Sequence, residues 1–261
     1  MKNTLLFFAF FLCAFSVTAQ VTTNYFEGKD AFQSLSALRQ SKSQILSAKR
    51  MPSIDIGKLL EEDRITEEIG GFPFRFGQGF DVNYTLKDGL WDEYNSQRIW
   101  TLKIVAPGAY SVNFIFDELY LPPGAELYIF NTEGSMVYGP VTEKQNLEEG
   151  IFLTDLVAGE DVIIQISEPI ESKEKSILKI SRVVHAYKNL FPFFSEIGTR
   201  ATTYSCHNDV ACHPTWAQES DGVALILLSN ATSMCTGSLL HNTTQDFRPY
   251  INSFSLYKYR D

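Results

Sequence analysis

The sequence predicts a mainly β protein: an antiparallel β-sandwich of about eight or nine strands behind a helical leader. Two observations carry that reading. The first is period-two alternation. Trp100, Leu102 and Ile104 alternate with Thr101, Lys103 and Val105, and Tyr110, Val112, Phe114 and Phe116 alternate with Ser111, Asn113, Ile115 and Asp117. Successive side chains of a strand point to opposite faces, so each run offers one apolar face. The second is punctuation. Pro107-Gly108 and Pro122-Pro123-Gly124 separate these runs from each other and from Leu127 and Ile129. Apolar faces split by Gly and Pro turns are the pattern of a sandwich or barrel.

Taken in order, the chain opens with Lys2, the apolar run Leu5 to Phe15, and Ser16-Val17-Thr18-Ala19. That is the layout of a signal peptide over residues 1–19, with cleavage expected between Ala19 and Gln20. The run is too short to span a bilayer, so the mature chain is expected to be secreted, periplasmic or at the cell surface, with no membrane association. Residues 20–71 read as a leader with one or two helices. Phe32, Leu35, Leu38, Ile45 and Leu46 give a loose helical pattern. A better helix opens at Asp55, a plausible N-cap for Ile56, Leu59 and Leu60, and closes by Gly70-Gly71.

Residues 72–188 read as the sandwich. Phe80, Val82 and Tyr84 alternate, and Asp88-Gly89 is a hairpin-turn signal. After the central runs, Met136 to Pro140, Ile151 to Leu153, Val162 to Ile166 and Ile177 to Ile180 supply later strands. This block holds no Cys, no His pair and no Gly-rich phosphate loop; its one histidine, His185, reads as a satisfied structural residue. Residues 189–204 read as a linker. They pair an apolar patch, Leu190 to Phe194, with a small, polar stretch, Gly198 to Thr203, of the composition where proteolysis concentrates. From residue 205 to 261 the texture changes to cysteines, Trp216 and the apolar run Val223 to Leu228.

A net charge of −9 argues against nucleic acid and anionic membrane as partners, since both favour a basic face. Cys13 leaves with the signal peptide, which leaves Cys206, Cys212 and Cys235 in an oxidising compartment. An odd number there implies a missing or intermolecular partner. Cys206-His207 and Cys212-His213 also place four possible metal ligands close together. Their spacing is not that of a usual zinc knuckle and export favours disulfides, so no metal and no cofactor is expected.

Two groups of residues together resemble one family. The first is Arg75-Phe76-Gly77, Gly89-Leu90-Trp91, Ile99-Trp100, Pro107-Gly108-Ala109, Leu121-Pro122-Pro123-Gly124-Ala125, Leu127-Tyr128-Ile129-Phe130 and Gly139-Pro140-Val141-Thr142. It resembles the propeptide domain of secreted bacterial lysyl-endopeptidase-like, trypsin-like serine proteases. The second is Ser205-Cys206-His207-Asn208-Asp209-Val210-Ala211-Cys212, then Val223-Ala224-Leu225 and Cys235-Thr236-Gly237-Ser238-Leu239-Leu240. It resembles the start of the mature protease, so residues 205–261 are expected to be an incomplete start of a trypsin-like β-barrel. The resemblance places the zymogen cut at Arg200–Ala201 and makes Cys206, Cys212 and Cys235 half-cystines. Cys235 to Leu240 would be the scaffold strand before the catalytic histidine.

The sequence then departs from that pattern. The family continues with Leu-Thr-Ala-x-His-Cys after the position of Pro249-Tyr250, whereas here the chain reads Ile251-Asn252-Ser253-Phe254-Ser255 and on to Asp261. None of His185, His207, His213 or His241 stands at the matching position. A serine is a weak nucleophile without a neighbouring base and an oriented third group, so no catalytic residue is assigned. The expectation is a secreted, inactive remnant of a protease precursor, truncated by a frame break or early stop. Two other readings stay open. A propeptide-type sandwich could bind, inhibit or chaperone a related full-length protease. It could instead be a carbohydrate or adhesion module, with Trp and Tyr lining a groove, since the architecture serves many functions. The oligomeric state is not fixed by the sequence.

Overall fold

A computed structural model describes residues 21–26, 48–146, 151–191, 213–220, 222–240 and 250–252. The expected signal peptide with Ala19 and Gln20, and the loose helical pattern at 32–46, lie outside these residues. In chain order the strands are β1 (Thr23–Tyr25), β2 (Ala48–Arg50), β3 (Phe74–Arg75), β4 (Gly77–Thr85), β5 (Leu90–Tyr94), β6 (Gln97–Val105), β7 (Ser111–Tyr120) and β8 (Glu126–Asn131). They continue as β9 (Met136–Val141), β10 (Phe152–Leu153), β11 (Val157–Ala158), β12 (Asp161–Pro169), β13 (Ile177–Ala186), β14 (Val223–Leu227), β15 (Ser233–Leu240) and β16 (Tyr250–Asn252). The helices are α1 (Ile56–Ile69) and the short α2 (Ala217–Ser220).

The molecule is mainly β, as its alternation implies. A seven-stranded sheet runs β1-β9-β8-β12-β6-β2, with β5 also on β6. A five-stranded sheet runs β10-β7-β13-β4, with β11 also on β7. Their facing sides enclose one core. Trp100, Leu102 and Ile104 of β6, Val112, Phe114 and Phe116 of β7, and Leu127 and Ile129 of β8 are all fully buried in it. Each such side chain contributes about 1.5–3 kcal/mol relative to an exposed position. Eleven strands are described between Phe74 and Ala186, more than the eight or nine expected, because β3, β10 and β11 are only two residues long.

Asp55 caps α1 as its position implies, its Oδ1 accepting from the Lys58 N–H at 3.0 Å. Gly70 ends the helix at φ 72°, a left-handed conformation that glycine adopts without strain.

Three sequence expectations are corrected. The leader's pattern predicts one or two helices, yet β1 pairs antiparallel with β9, and β2 pairs parallel with β6. Three-residue strands carry too little alternation to be seen. Second, Asp88-Gly89 is not a hairpin turn: β4 belongs to one sheet and β5 to the other. The chain crosses between sheets there, and the hairpin lies at Asn95-Ser96, both at positive φ, between β5 and β6. Gly89 is needed for a close approach, since a Cβ there would lie 2.4 Å from Trp100 Cε2 and 2.6 Å from the Thr101 carbonyl oxygen. Third, His185 is not satisfied among the described residues; it is fully buried and neither ring nitrogen has a hydrogen-bond partner among them.

A register shift in β13 between Ile180 and Arg182 sets what its outer face does. Leu178, Ile180 and Val183 point into the main core, while Val184 and Ala186 point to the opposite side. An extra residue in a strand reverses the facing of everything beyond it.

Candidate functional site

The third sheet, of four strands, runs β14-β15-β16 with β3 also on β15. The turn between β14 and β15 is driven into the outer face of the five-stranded sheet. Sequence explains the turn locally. Asn230 Oδ1 accepts from the Thr232 N–H at 3.0 Å and the Ser233 N–H at 3.2 Å, an Asx-type cap. Ala231 follows at φ 56°, and its N–H closes on the Leu228 carbonyl at 2.7 Å.

The seat for this turn comes from distant parts of the sandwich. Phe76, Ile115, Leu156, Val184, Ala186 and Leu190 form a buried apolar cluster that takes in Ala231 and Met234. Backbone bonds fix the depth: the Phe76 and Gly77 N–H groups both donate to the Thr232 carbonyl, at 3.0 and 3.2 Å. Asn113, fully buried on β7, donates from Nδ2 to the Ala231 carbonyl at 3.2 Å. β3 adds to the edge of β15, pairing Phe74 with Met234 and Arg75 with Ser233.

A buried carboxylate locks the edge of this seat. Asp63 of α1 accepts from Arg75 Nε at 2.7 Å, from the Tyr187 hydroxyl at 2.7 Å, and pairs with Lys188 Nζ at 2.8 Å. Arg75 also donates to the Leu59 carbonyl and to Glu62, both at 3.1 Å. The Lys188 ammonium lies 4.4 Å from the centre of the Phe74 ring. Burial alone would raise the Asp63 carboxyl, but the hydrogen bonds from Lys188, Tyr187 and Arg75 outweigh it and hold it below the usual range. One side chain thus ties helix α1, strand β3 and the exit of β13 together.

Of the site residues expected from sequence, the structure describes only Cys235. It is half-buried in β15, opposite Ile226 of β14. Arg200, Ala201, Cys206 and Cys212 lie outside the described residues, as do His207 and His241. Among the described residues no group of three or more His, Cys, Asp or Glu is arranged to hold a metal ion. His213 is exposed ahead of the turn Pro214–Trp216. Sequence reasoning missed Asn113, Asn230 and Asp63. An Asn two residues before Thr232 was a legible turn signal, but the partners of Asn113 and Asp63 are too far along the chain to be read.

Replacing Asn230 by Ala removes the cap while leaving its backbone carbonyl in place. The expected cost is about 1 kcal/mol, read as faster amide exchange at Thr232 and Ser233. Unchanged exchange there would show that the turn is held by its seat alone.

The fold and this site define a class: a β-sandwich that seats a β-hairpin of a separate sheet against its outer face. Residues 201–254 match the family described as Lysyl endopeptidase, C-terminal domain. The match contains all of β14, β15 and β16 and supports a relation of this chain to that protease family. The hairpin therefore lies inside the matched stretch, and the residues that seat it lie outside.

Proposed function

We propose that this chain is a precursor form of a lysyl-endopeptidase-like serine endopeptidase. In this reading residues 72–188 are the propeptide, and residues 205–261 are the first strands of the catalytic domain. The observation that carries it is the seat, where the protease-related hairpin is buried in the sandwich by Phe76, Asn113, Val184 and Ala186. Arg200–Ala201 is the processing junction, and the family match beginning at Ala201 supports it. Export through residues 1–19 fits a secreted protease family, and no helix among the described residues is long and apolar enough to cross a membrane. Cys206, Cys212 and Cys235 act as half-cystines of the catalytic domain.

The 261-residue chain does not itself hydrolyse peptides. Among the described residues neither His185, enclosed between the sheets, nor the exposed His213 bonds to a serine backed by a carboxylate. The same seat gives the sandwich a way to hold a related full-length protease by the corresponding turn, as an inhibitor or folding aid. A sugar-binding role finds less support. Trp100 is buried, the Arg98 guanidinium occupies one face of the partly exposed Trp91, 4.4 Å from its ring centre, and the exposed Trp216 lies on the short turn before α2, not on the sandwich.

Limited trypsin digestion of the purified full chain tests the reading. The expected result is a cut after Arg200 and a fragment starting at Ala201 that co-elutes with the sandwich on size exclusion, with no hydrolysis of a Lys or Arg ester. A fragment that elutes alone, first cuts within residues 72–188, or ester hydrolysis blocked by a serine-directed inhibitor would overturn it.

A further inference from the structure

We propose that His185 is an acid-responsive release point built beneath the hairpin seat. It stays neutral while the seat is closed, and its protonation loosens β13 and frees the turn. The geometry is specific. The shift of register at Ile180/Arg182 turns Val183 into the main core, and strand alternation gives His185 the same facing. Across the sheet it stands opposite Val112 of β7 and Gln78 of β4. The ring is fully buried, and among the described residues neither Nδ1 nor Nε2 finds a partner. A buried imidazolium would carry two unmet N–H donors as well as an unsolvated charge, far costlier than the neutral ring.

The groups facing the ring offer little relief. β7 presents Val112 and Phe114 on this side, and β4 presents Gln78 and Phe80, none of them ionisable. The turn between β11 and β12 contributes Glu160, which favours the charged ring, but burial outweighs it and the imidazole is held below its ordinary pKa. The Glu160 carboxylate is itself taken by the Gly108 N–H at 2.6 Å. Tyr110, just before β7, is exposed, and Tyr187 beyond β13 is bonded to Asp63.

The link to the seat runs through the same strand. Val184 and Ala186, the neighbours of His185, point the other way into the cluster around Ala231 and Met234. The Tyr187 and Lys188 N–H groups donate to the carbonyl of Phe76, whose own N–H holds the Thr232 carbonyl. Strain at residue 185 is therefore delivered to the bonds that fix the turn.

The sign is set by the direction of the shift. With a depressed folded pKa the stabilisation is complete above the unfolded value, about 6.5, and declines as pH falls below it. The unfolding equilibrium constant then rises up to about tenfold per pH unit. The inference needs only the seat, whatever the rest of the hairpin's domain does.

The test uses the full chain in urea at pH 7.5, 6.5 and 5.5. The expected result is a midpoint that falls with pH in the natural chain and stays level in His185→Phe. Amide protection at Phe76 and Gly77 is expected to fall over the same interval. Carbon-13 labelled histidines give a reading that needs no variant: the His185 ring titrates below the ordinary histidine value of about 6.5. A His185 that titrates at or above the ordinary histidine value of about 6.5, or protection at Phe76 and Gly77 unchanged between pH 7.5 and 5.5, overturns the proposal.

Discussion

Asp63→Ala lowers the stability of the full chain by about 3 kcal/mol, the scale of breaking a buried ion pair from one side. The loss is large because Asp63 is nearly inaccessible and three donors converge on it. Its removal leaves Lys188 without its closest carboxylate and the Tyr187 hydroxyl without an acceptor. Arg75 keeps Glu62 and the Leu59 carbonyl but loses its shortest bond. Urea unfolding at pH 7 measures the loss, and exchange at the backbone amides of β3 and β15 reports where it falls. A variant within 1 kcal/mol of the natural chain would mean that the carboxylate's desolvation cancels its bonds.

The same carboxylate predicts an acid limb. Its folded pKa is depressed, so its contribution is whole above the ordinary aspartate value of about 3.9 and is lost as pH falls through the folded value. Protonation of the imidazole in β13 acts in a separate, higher window. A stability profile with one step below about pH 6.5 and another below about pH 4 distinguishes the two groups.

Gly89→Val is the more disruptive substitution. The β-carbon alone would lie 2.5 Å from the indole Nε1 of Trp100 and 2.6 Å from the Thr101 carbonyl oxygen. The indole cannot swing aside cheaply, because its N–H is bonded to the Leu86 carbonyl at 2.9 Å and the ring is fully buried. The expected cost is about 3 kcal/mol or more, at the upper end of core overpacking. A fall in thermal midpoint, or loss of soluble full-length protein, would register it. A midpoint equal to that of the natural chain would show that the crossover from β4 to β5 can move outward.

The inner faces of β6, β7 and β8 were legible because alternation is a local property. So was α1, whose cap at Asp55 and stop at Gly70 lie within a few residues of its ends. Alternation reports facing but not neighbours. It could not show that β6, β7 and β8 pass alternately between sheets, or that β13 would lie between β7 and β4, with Lys179 opposite both Glu118 and Thr85. The bulge in β13 is equally silent in sequence, and it decides that His185 faces inward. The candidate site was the least legible part. Its chemistry is a meeting of Phe76, Asn113 and Val184 with Ala231, residues that only long-range pairing brings together.

The order of those residues along the chain has a consequence for how the molecule is made. A ribosome delivers Phe76, Asn113, Ile115, Leu156, Val184, Ala186 and Leu190 before it adds Leu228. Synthesis thus produces the receptor ahead of its guest. The five apolar residues of the hairpin's first strand, Val223 to Leu227, emerge into the company of a surface already shaped to receive the turn that follows them.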